Sequence, residues 1–254
     1  MLLTSCGEAV PANTALITSQ AATASVTAAA TVTEAVTSAS VQTSASITET
    51  SETVTSEEAP PEEVQEDIDL ETVLYDQLAG RNKAKVGCGP ACAAMILRSE
   101  LGVEADKDDV VELAYQKGLY LDAGYNFTYG FGMSLSQIGS LFSEYGFEAV
   151  TDTLDGCSDE EILTKIDELL SEGHRVVFGH LKDGRVLHYA VIHGRRGAEG
   201  EALYLINDPW EGQAYELTCP ELISRYRGAE GAQFSLHGGK VKGLLWVIGV
   251  MDKE

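Results

Sequence analysis

The spacing of apolar residues changes along the chain and predicts where its helices and strands lie. Between residues 89 and 171 the apolar residues recur every three to four positions, which is the period of a helix with one buried face. The pattern predicts helices at 89–101, 108–117, 134–145 and 158–171. Ser158 and Glu161 form a capping box at the start of the fourth helix, and Gly173 marks its end.

Further along the chain the apolar residues alternate with polar ones, as they do in strands. The alternation predicts strands at 175–181, 188–193, 202–206, 213–217 and 244–250, with a short helix at 221–226. Most links between these strands are short and contain Gly or Asp, which favours antiparallel pairing. Helices followed by an antiparallel sheet predict an α+β fold.

The N-terminal part of the chain shows neither period. Residues 1–69 contain no Lys, no Arg and no aromatic residue, and 14–55 are mostly Ala, Thr, Ser and Val, followed by a Glu- and Pro-rich stretch. Such a segment has no large side chains to bury, so it cannot offset the entropy that is lost on ordering. We therefore expect 7–68 to be a disordered tether rather than a long Ala-rich helix, and 69–254 to be one folded domain.

The formal net charge of −23 is divided unevenly between these two parts. Residues 1–69 hold eleven of the 40 acidic residues, which leaves 29 acidic and 17 basic residues after them and a net charge of about −12. A chain this acidic lacks the clustered Lys and Arg that bind nucleic acid, so we expect no nucleic-acid partner. It has no run of about 18 apolar residues, so no membrane-spanning helix is predicted.

The first residues resemble the end of a bacterial lipoprotein signal. Residues 3–6, Leu-Thr-Ser-Cys, are similar to a lipobox, in which the Cys receives the lipid. Only five residues precede Cys6, so the usual basic and apolar start is missing, and a chance cysteine is the alternative. We expect 1–6 to be a residual lipoprotein signal. The protein would then be extracellular and anchored to the bacterial cell membrane through a lipid on Cys6 alone.

Three short segments contain the residue types that cysteine hydrolases use. Cys88 lies where a helix is predicted to begin, and the free amide groups and positive dipole end there favour a thiolate. His188 opens a predicted strand, and an imidazole beside a thiol makes a reactive pair. Asp208 follows the next strand, where it could accept a hydrogen bond from the second ring nitrogen of His188. Adjacent antiparallel strands are expected to bring His188 and Asp208 together.

These segments resemble the papain-like cysteine peptidases, most closely the peptidase C39-like family. The stretch 87–91, Gly-Cys-Gly-Pro-Ala, is similar to the family's nucleophile helix, 188–194 to its His strand, and 207–210, Asn-Asp-Pro-Trp, to its acid turn. Cys, His and Asp follow in the family's order, and the resemblance extends over 70–250. It implies a papain-like fold, in which N-terminal helices pack on an antiparallel sheet.

By this resemblance Cys88 is the nucleophile, His188 the general base and acid, and Asp208 the carboxylate that orients His188. Family members also place a Gln before the Cys to donate to the oxyanion. Gln77 is the natural match, and Asn82, six residues before Cys88, is the alternative. The implied function is hydrolysis of peptide bonds in a peptide or protein substrate by a monomer without cofactor or metal. A cell-wall amidase, an acyltransferase and a non-catalytic surface binding domain are the alternatives.

The other cysteines and histidines are expected to have ordinary structural roles. Cys92 falls on the apolar face of its helix, with a resolving thiol or a zinc ligand as alternatives. Cys157 and Cys219 could form a disulfide in an extracellular protein. His180 and His193 are interpreted as strand residues. The aromatic and Gly-rich stretch 120–132 is expected to be a packed loop, with a lid or a substrate wall as the alternative.

Overall fold

The computed structural model describes residues 66–83, 86–119, 122–123, 130–198, 201–230 and 241–251, all within the unit Ala59–Glu254. The lipobox with Cys6, the expected tether up to residue 65 and most of the stretch 120–132 lie outside the described residues. In the part of the chain that is described, no helix combines the length and the apolar character needed to cross a membrane.

Most of the described strands belong to one sheet. The strands are β1 (Ile68–Asp69), β2 (Asp122–Ala123), β3 (Gly130–Phe131), β4 (Phe147–Asp152), β5 (Val176–Lys182), β6 (Val186–Arg196), β7 (Leu203–Asp208), β8 (Gln213–Thr218) and β9 (Gly243–Val250). Within the described ranges, seven of them form an antiparallel sheet in the order β4-β9-β5-β6-β7-β8, with β1 paired to the end of β6. β5 and β6 form a hairpin in which His180 pairs with His188, and β7 lies on the other side of β6.

The helices agree closely with the hydrophobic pattern. They are α1 (Cys88–Ser99), α2 (Lys107–Gln116), α3 (Leu135–Glu144), α4 (Asp159–Ser171) and α5 (Cys219–Gly228). The capping box of Ser158 and Glu161 is confirmed at the start of α4, and Ser134 and Thr218 cap α3 and α5 in the same way. These caps satisfy amide groups at the helix starts that have no partner within the helix.

Helices cover both faces of the sheet and enclose two apolar cores. Val177 of β5 packs in the core formed with α1, α2 and α3. Phe178, the next residue, packs in the core formed with α4 and α5. Because successive side chains of a strand point to opposite faces, β5 is buried on both sides and lies at the centre of the fold. The predicted α+β class is confirmed.

The predicted order of helices first and sheet afterwards is wrong in one respect. β4 lies between α3 and α4 and pairs with β9 at an edge of the sheet. Its side chains are at most partly buried, and a register shift between Glu148 and Ala149 interrupts the alternation. An edge strand that buries little and bulges has only a weak sequence pattern, so the apolar spacing does not reveal it.

Candidate active site

Helix α1 begins at Cys88 and is buried along most of its length. Cys88 is 9% exposed, and no side chain caps the helix at Gly87. Gly89 permits close packing, because a Cβ there would lie 3.0 Å from Cδ1 of Ile138. Pro90 occupies the third helical position, within the turn whose N–H groups lack partners in the helix. The thiol thus lies at the positive end of a buried helix.

β6 and β7 place His188 and Asp208 side by side. Nε2 of His188 lies 2.6 Å from Oδ1 of Asp208, and the two side chains are 3% and 0% exposed. The Cys88 side chain lies close enough to the His188 ring to interact with it. Because Nε2 faces Asp208, Nδ1 is the nitrogen left for the thiol. The structure therefore brings together Cys88, His188 and Asp208 from three different elements.

The carboxylate of Asp208 accepts hydrogen bonds from four groups. Oδ1 accepts from His188 and, at 2.8 Å, from the backbone N–H of Trp210. Oδ2 accepts from Nζ of Lys182 at 2.6 Å and from the hydroxyl of Tyr215 at 3.2 Å. Four donors match the roughly four lone-pair sites of an ionised carboxylate. Sequence reasoning missed Lys182 and Tyr215, which belong to no motif and reach Asp208 through strand pairing.

Opposing effects set the pKa values of this pair. Burial lowers the pKa of His188, but the hydrogen bond with Asp208 and the neighbouring Cys88 side chain raise it to about 9. Burial raises the pKa of Asp208, but His188, Lys182 and the amide of Trp210 together hold it well below its ordinary value. His188 is therefore an imidazolium and Asp208 a carboxylate at neutral pH.

A charged His188 makes stability depend on pH in a defined direction. Because its pKa rises from 6.5 to about 9 on folding, its contribution is fully present below pH 6.5 and is lost as the pH rises through 9. The difference in unfolding free energy between wild type and His188→Gln is expected to shrink by on the order of 3 kcal/mol between pH 6 and pH 10. Urea unfolding at several pH values measures it. A difference that stays constant with pH would contradict the imidazolium.

His180 lies beside His188 as an uncharged ring. It stacks on Phe178 with ring centroids 4.6 Å apart and meets the His188 ring edge-on at 5.6 Å. Its Nδ1 lies 3.2 Å from the carbonyl oxygen of Phe178, which accepts the ring proton. Burial and the charge of His188 lower the pKa of His180 to about 3. His180 is thus part of the wall around the pair and carries no charge of its own at neutral pH.

The two candidate oxyanion donors occupy different places. The backbone N–H of Gln77 donates to the carbonyl oxygen of Pro209 at 2.8 Å, so this 1% exposed residue lies against the turn that follows Asp208. The side chain of Asn82 donates instead to the carbonyl oxygen of Asp108 in the first turn of α2, at 2.9 Å. The Asn82 side chain is thus engaged with α2, whereas Gln77 lies beside the turn after Asp208.

Among the described residues, Cys92, Cys157, Cys219 and His193 take no part in these hydrogen bonds. Cys92 is completely buried in α1, and burial raises its pKa well above the ordinary value. Cys157 and Cys219 are free thiols, so they do not form a disulfide with each other. Nδ1 of His193 lies 3.6 Å from a carboxylate oxygen of Asp69 in β1. Within the described ranges, no group of three or more His, Cys, Asp or Glu residues is arranged to hold a metal ion.

Comparison with known proteins adds one finding to this geometry. The model of the Peptidase C39 like family matches residues 69–233, which is more than half of the chain. The matched range contains Gln77, Cys88, His188 and Asp208. No curated protein matches the chain.

Proposed function

Since the chain belongs to the peptidase C39-like family, we propose that it is a papain-like cysteine peptidase that hydrolyses peptide bonds. In this proposal Cys88 is the nucleophile, His188 the general base and acid, and Asp208 the carboxylate that orients His188. The observation that carries it is the hydrogen bond between His188 and Asp208, with the Cys88 side chain next to the same ring. An imidazolium beside a thiol stabilises the thiolate, which is the form that attacks carbonyl groups.

Acylation starts from the ion pair in which the proton of the Cys88 thiol is already on Nδ1 of His188. The thiolate attacks the carbonyl carbon of the scissile amide, and the negative charge moves to the former carbonyl oxygen. The backbone N–H of Cys88 and the side-chain amide of Gln77 are the proposed donors to that oxygen. His188 then returns its proton to the leaving amine as the C–N bond breaks, which leaves a thioester on Cys88.

Hydrolysis of the thioester uses the same groups in the opposite direction. The neutral His188 accepts a proton from a water molecule, and the resulting hydroxide attacks the thioester carbonyl. The tetrahedral intermediate expels the Cys88 thiolate and releases the carboxylic acid product. Asp208 holds Nε2 of His188 throughout, so that Nδ1 stays directed towards the thiol and the bound acyl group.

An electrophilic probe tests the reactive pair without knowledge of the substrate. At neutral pH an E-64-type epoxide is expected to modify Cys88 at least about tenfold faster than Cys157 and Cys219, because those thiols lack a neighbouring imidazolium. Peptide mass spectrometry locates the adducts. Cys157 and Cys219 are free and partly buried, so they are internal controls in the same molecule.

Two variants on the same strand complete this test. His188→Ala is expected to abolish the preference for Cys88, whereas His193→Ala, also on β6, is expected to preserve it. Equal modification of Cys88, Cys157 and Cys219 in the wild-type protein would contradict the proposal. A peptide mixture incubated with the protein separates a peptidase from a cell-wall amidase or an acyltransferase. A peptidase is expected to produce new peptide N-termini with the wild-type protein but not with Cys88→Ala.

We also propose that the peptidase is a cell-surface lipoprotein anchored through Cys6. The support is the lipobox-like sequence at 3–6, followed by the Ser-, Thr- and Ala-rich segment expected to be a tether. Expression from the gene with its upstream DNA is expected to give a protein that incorporates palmitate and partitions into membranes. Cys6→Ser should abolish both properties, and palmitate incorporation that survives in that variant would contradict the anchor.

A further inference from the structure

Lys182 forms an ion pair with the carboxylate that holds His188. It is the last residue of β5, and its Nζ lies 2.6 Å from Oδ2 of Asp208. The Lys182 side chain is 15% exposed and that of Asp208 is fully buried, so solvent and salt screen the interaction only weakly. Asp208 therefore binds one cation on each oxygen, with His188 on Oδ1 and Lys182 on Oδ2.

Several described elements around this carboxylate contribute titratable or charged groups. These groups are Cys88 and Cys92 from α1, His180 and Lys182 from β5, His188 from β6, Tyr215 from β8 and Arg225 from α5. Tyr215 donates to the same oxygen as Lys182, but burial raises its pKa and it stays neutral. Arg225 donates a hydrogen bond to the hydroxyl of Tyr215 at 3.0 Å. It is therefore separated from Asp208 by the Tyr215 hydroxyl. Lys182 is thus the cation in direct contact with Asp208 besides His188.

We propose that Lys182 is a positioning residue that weakens the hold of Asp208 on the His188 proton and so sets the pH above which His188 loses it. The inference rests on the function proposed above, in which the charged His188 protonates the leaving amine. Asp208 attracts the imidazolium, whereas Lys182, bound to the same carboxylate, repels it. Without Lys182 the imidazolium would keep its proton more strongly and give it up more slowly to the amine.

Histidine NMR measures this effect without any need for a substrate. The parent protein is Cys88→Ala, which removes the coupling between the thiol and the ring, and the His188 signals are assigned by their absence from His188→Gln. Adding Lys182→Met to the parent is expected to raise the pKa of His188 by about one unit, which is roughly tenfold in proton affinity. The Met side chain retains the apolar stem, and three donors still hold Asp208.

Matched variants separate charge from hydrogen bonding. Tyr215→Phe removes a neutral donor from the same oxygen, so it is expected to shift the pKa of His188 by less than about a third of a unit. Lys182→Arg retains the cation and should titrate like the parent. Lys182→Gln keeps a donor without charge and is expected to give the same rise as Lys182→Met, which it replaces if the Met variant does not fold.

Two results would overturn the role of Lys182. The first is a pKa of His188 that is unchanged or lower in the uncharged Lys182 variants. The second is an equal rise in Tyr215→Phe, because packing rather than charge would then explain it. The titration uses protein without Cys88, so it is independent of the epoxide labelling. Failure of the labelling overturns the proposed function, whereas failure of the titration alone overturns only the inference about Lys182.

Discussion

Asp208→Asn is expected to lower the free energy of unfolding by about 3 kcal/mol and the rate of Cys88 labelling by about 10²-fold or more. Asn presents one oxygen and one NH₂ group where Asp presents two oxygens. Its side chain can therefore accept a hydrogen bond from His188 or from Lys182, but not from both. When the oxygen faces His188, the NH₂ group meets the Lys182 ammonium, which loses its buried counter-charge. The four donors around this position thus require a carboxylate.

This loss is expected to depend on Lys182. In the double variant Lys182→Met/Asp208→Asn the NH₂ group meets no ammonium, so the amide oxygen is free to face His188. The double variant is expected to recover at least half of the unfolding free energy that Asp208→Asn loses. It is also expected to recover at least half of the lost labelling rate. Urea unfolding and epoxide labelling of the wild type, both single variants and the double variant form a double-mutant cycle. Equal losses in Asp208→Asn and in the double variant would contradict the competition between Lys182 and His188.

The three motif residues were accessible to sequence reasoning because each lies close to the end of an element with a clear pattern. The apolar period and the Gly-Pro pair predict a helix start near Cys88, and α1 begins at that residue. His188 and Asp208 lie on strands that follow one another along the chain, and consecutive strands usually pair. Their proximity therefore follows from local patterns together with one general rule of topology.

Lys182 could not be found in this way, because its position depends on register. It reaches Asp208 of β7 from β5, with β6 between them. The hairpin turn at Asp183 and Gly184, both with positive φ, pairs Lys182 with Val186 and His180 with His188. A shift of one residue would move Lys182 to the opposite face of the sheet. The sequence contains the lysine and the turn, but the distance between Nζ and Oδ2 depends on three strands at once.

The sequence also does not reveal which helices cover the second face of the sheet. The prediction placed N-terminal helices on the sheet, and α4 and α5 cover the other face. A continuous run of buried residues at 176–180 of β5 is typical of a strand that is covered on both sides. Such a run does not say which helices cover which face. Val177 and Phe178 point into different cores, and each core is built from segments that are distant along the chain. Which helices cover which face therefore depends on contacts between distant segments.

Gly179→Ala is expected to destabilise the protein by about 3 kcal/mol or more, although it adds a single methyl group. Gly179 lies in β5 between β6 and β9. A Cβ there would lie 1.9 Å from the carbonyl oxygen of Val241 and 3.1 Å from Cε1 of Tyr189. The oxygen belongs to the backbone just before β9, so it cannot rotate away as the end of a side chain can. Either β5 or the start of β9 must shift, and β5 also carries Lys182.

Gly139→Ala is the matched control, because it adds the same group in the middle of α3. A Cβ there would lie 3.8 Å from Cδ1 of Leu245, which is an ordinary contact, and Ala favours a helix over Gly by about 0.5–1 kcal/mol. We therefore expect Gly139→Ala to stabilise the protein slightly while Gly179→Ala destabilises it. Urea unfolding of both variants and the wild type measures the change in unfolding free energy and its sign for each variant. Wild-type stability in Gly179→Ala would mean that the start of β9 moves aside freely, and that β5 is not held between fixed neighbours.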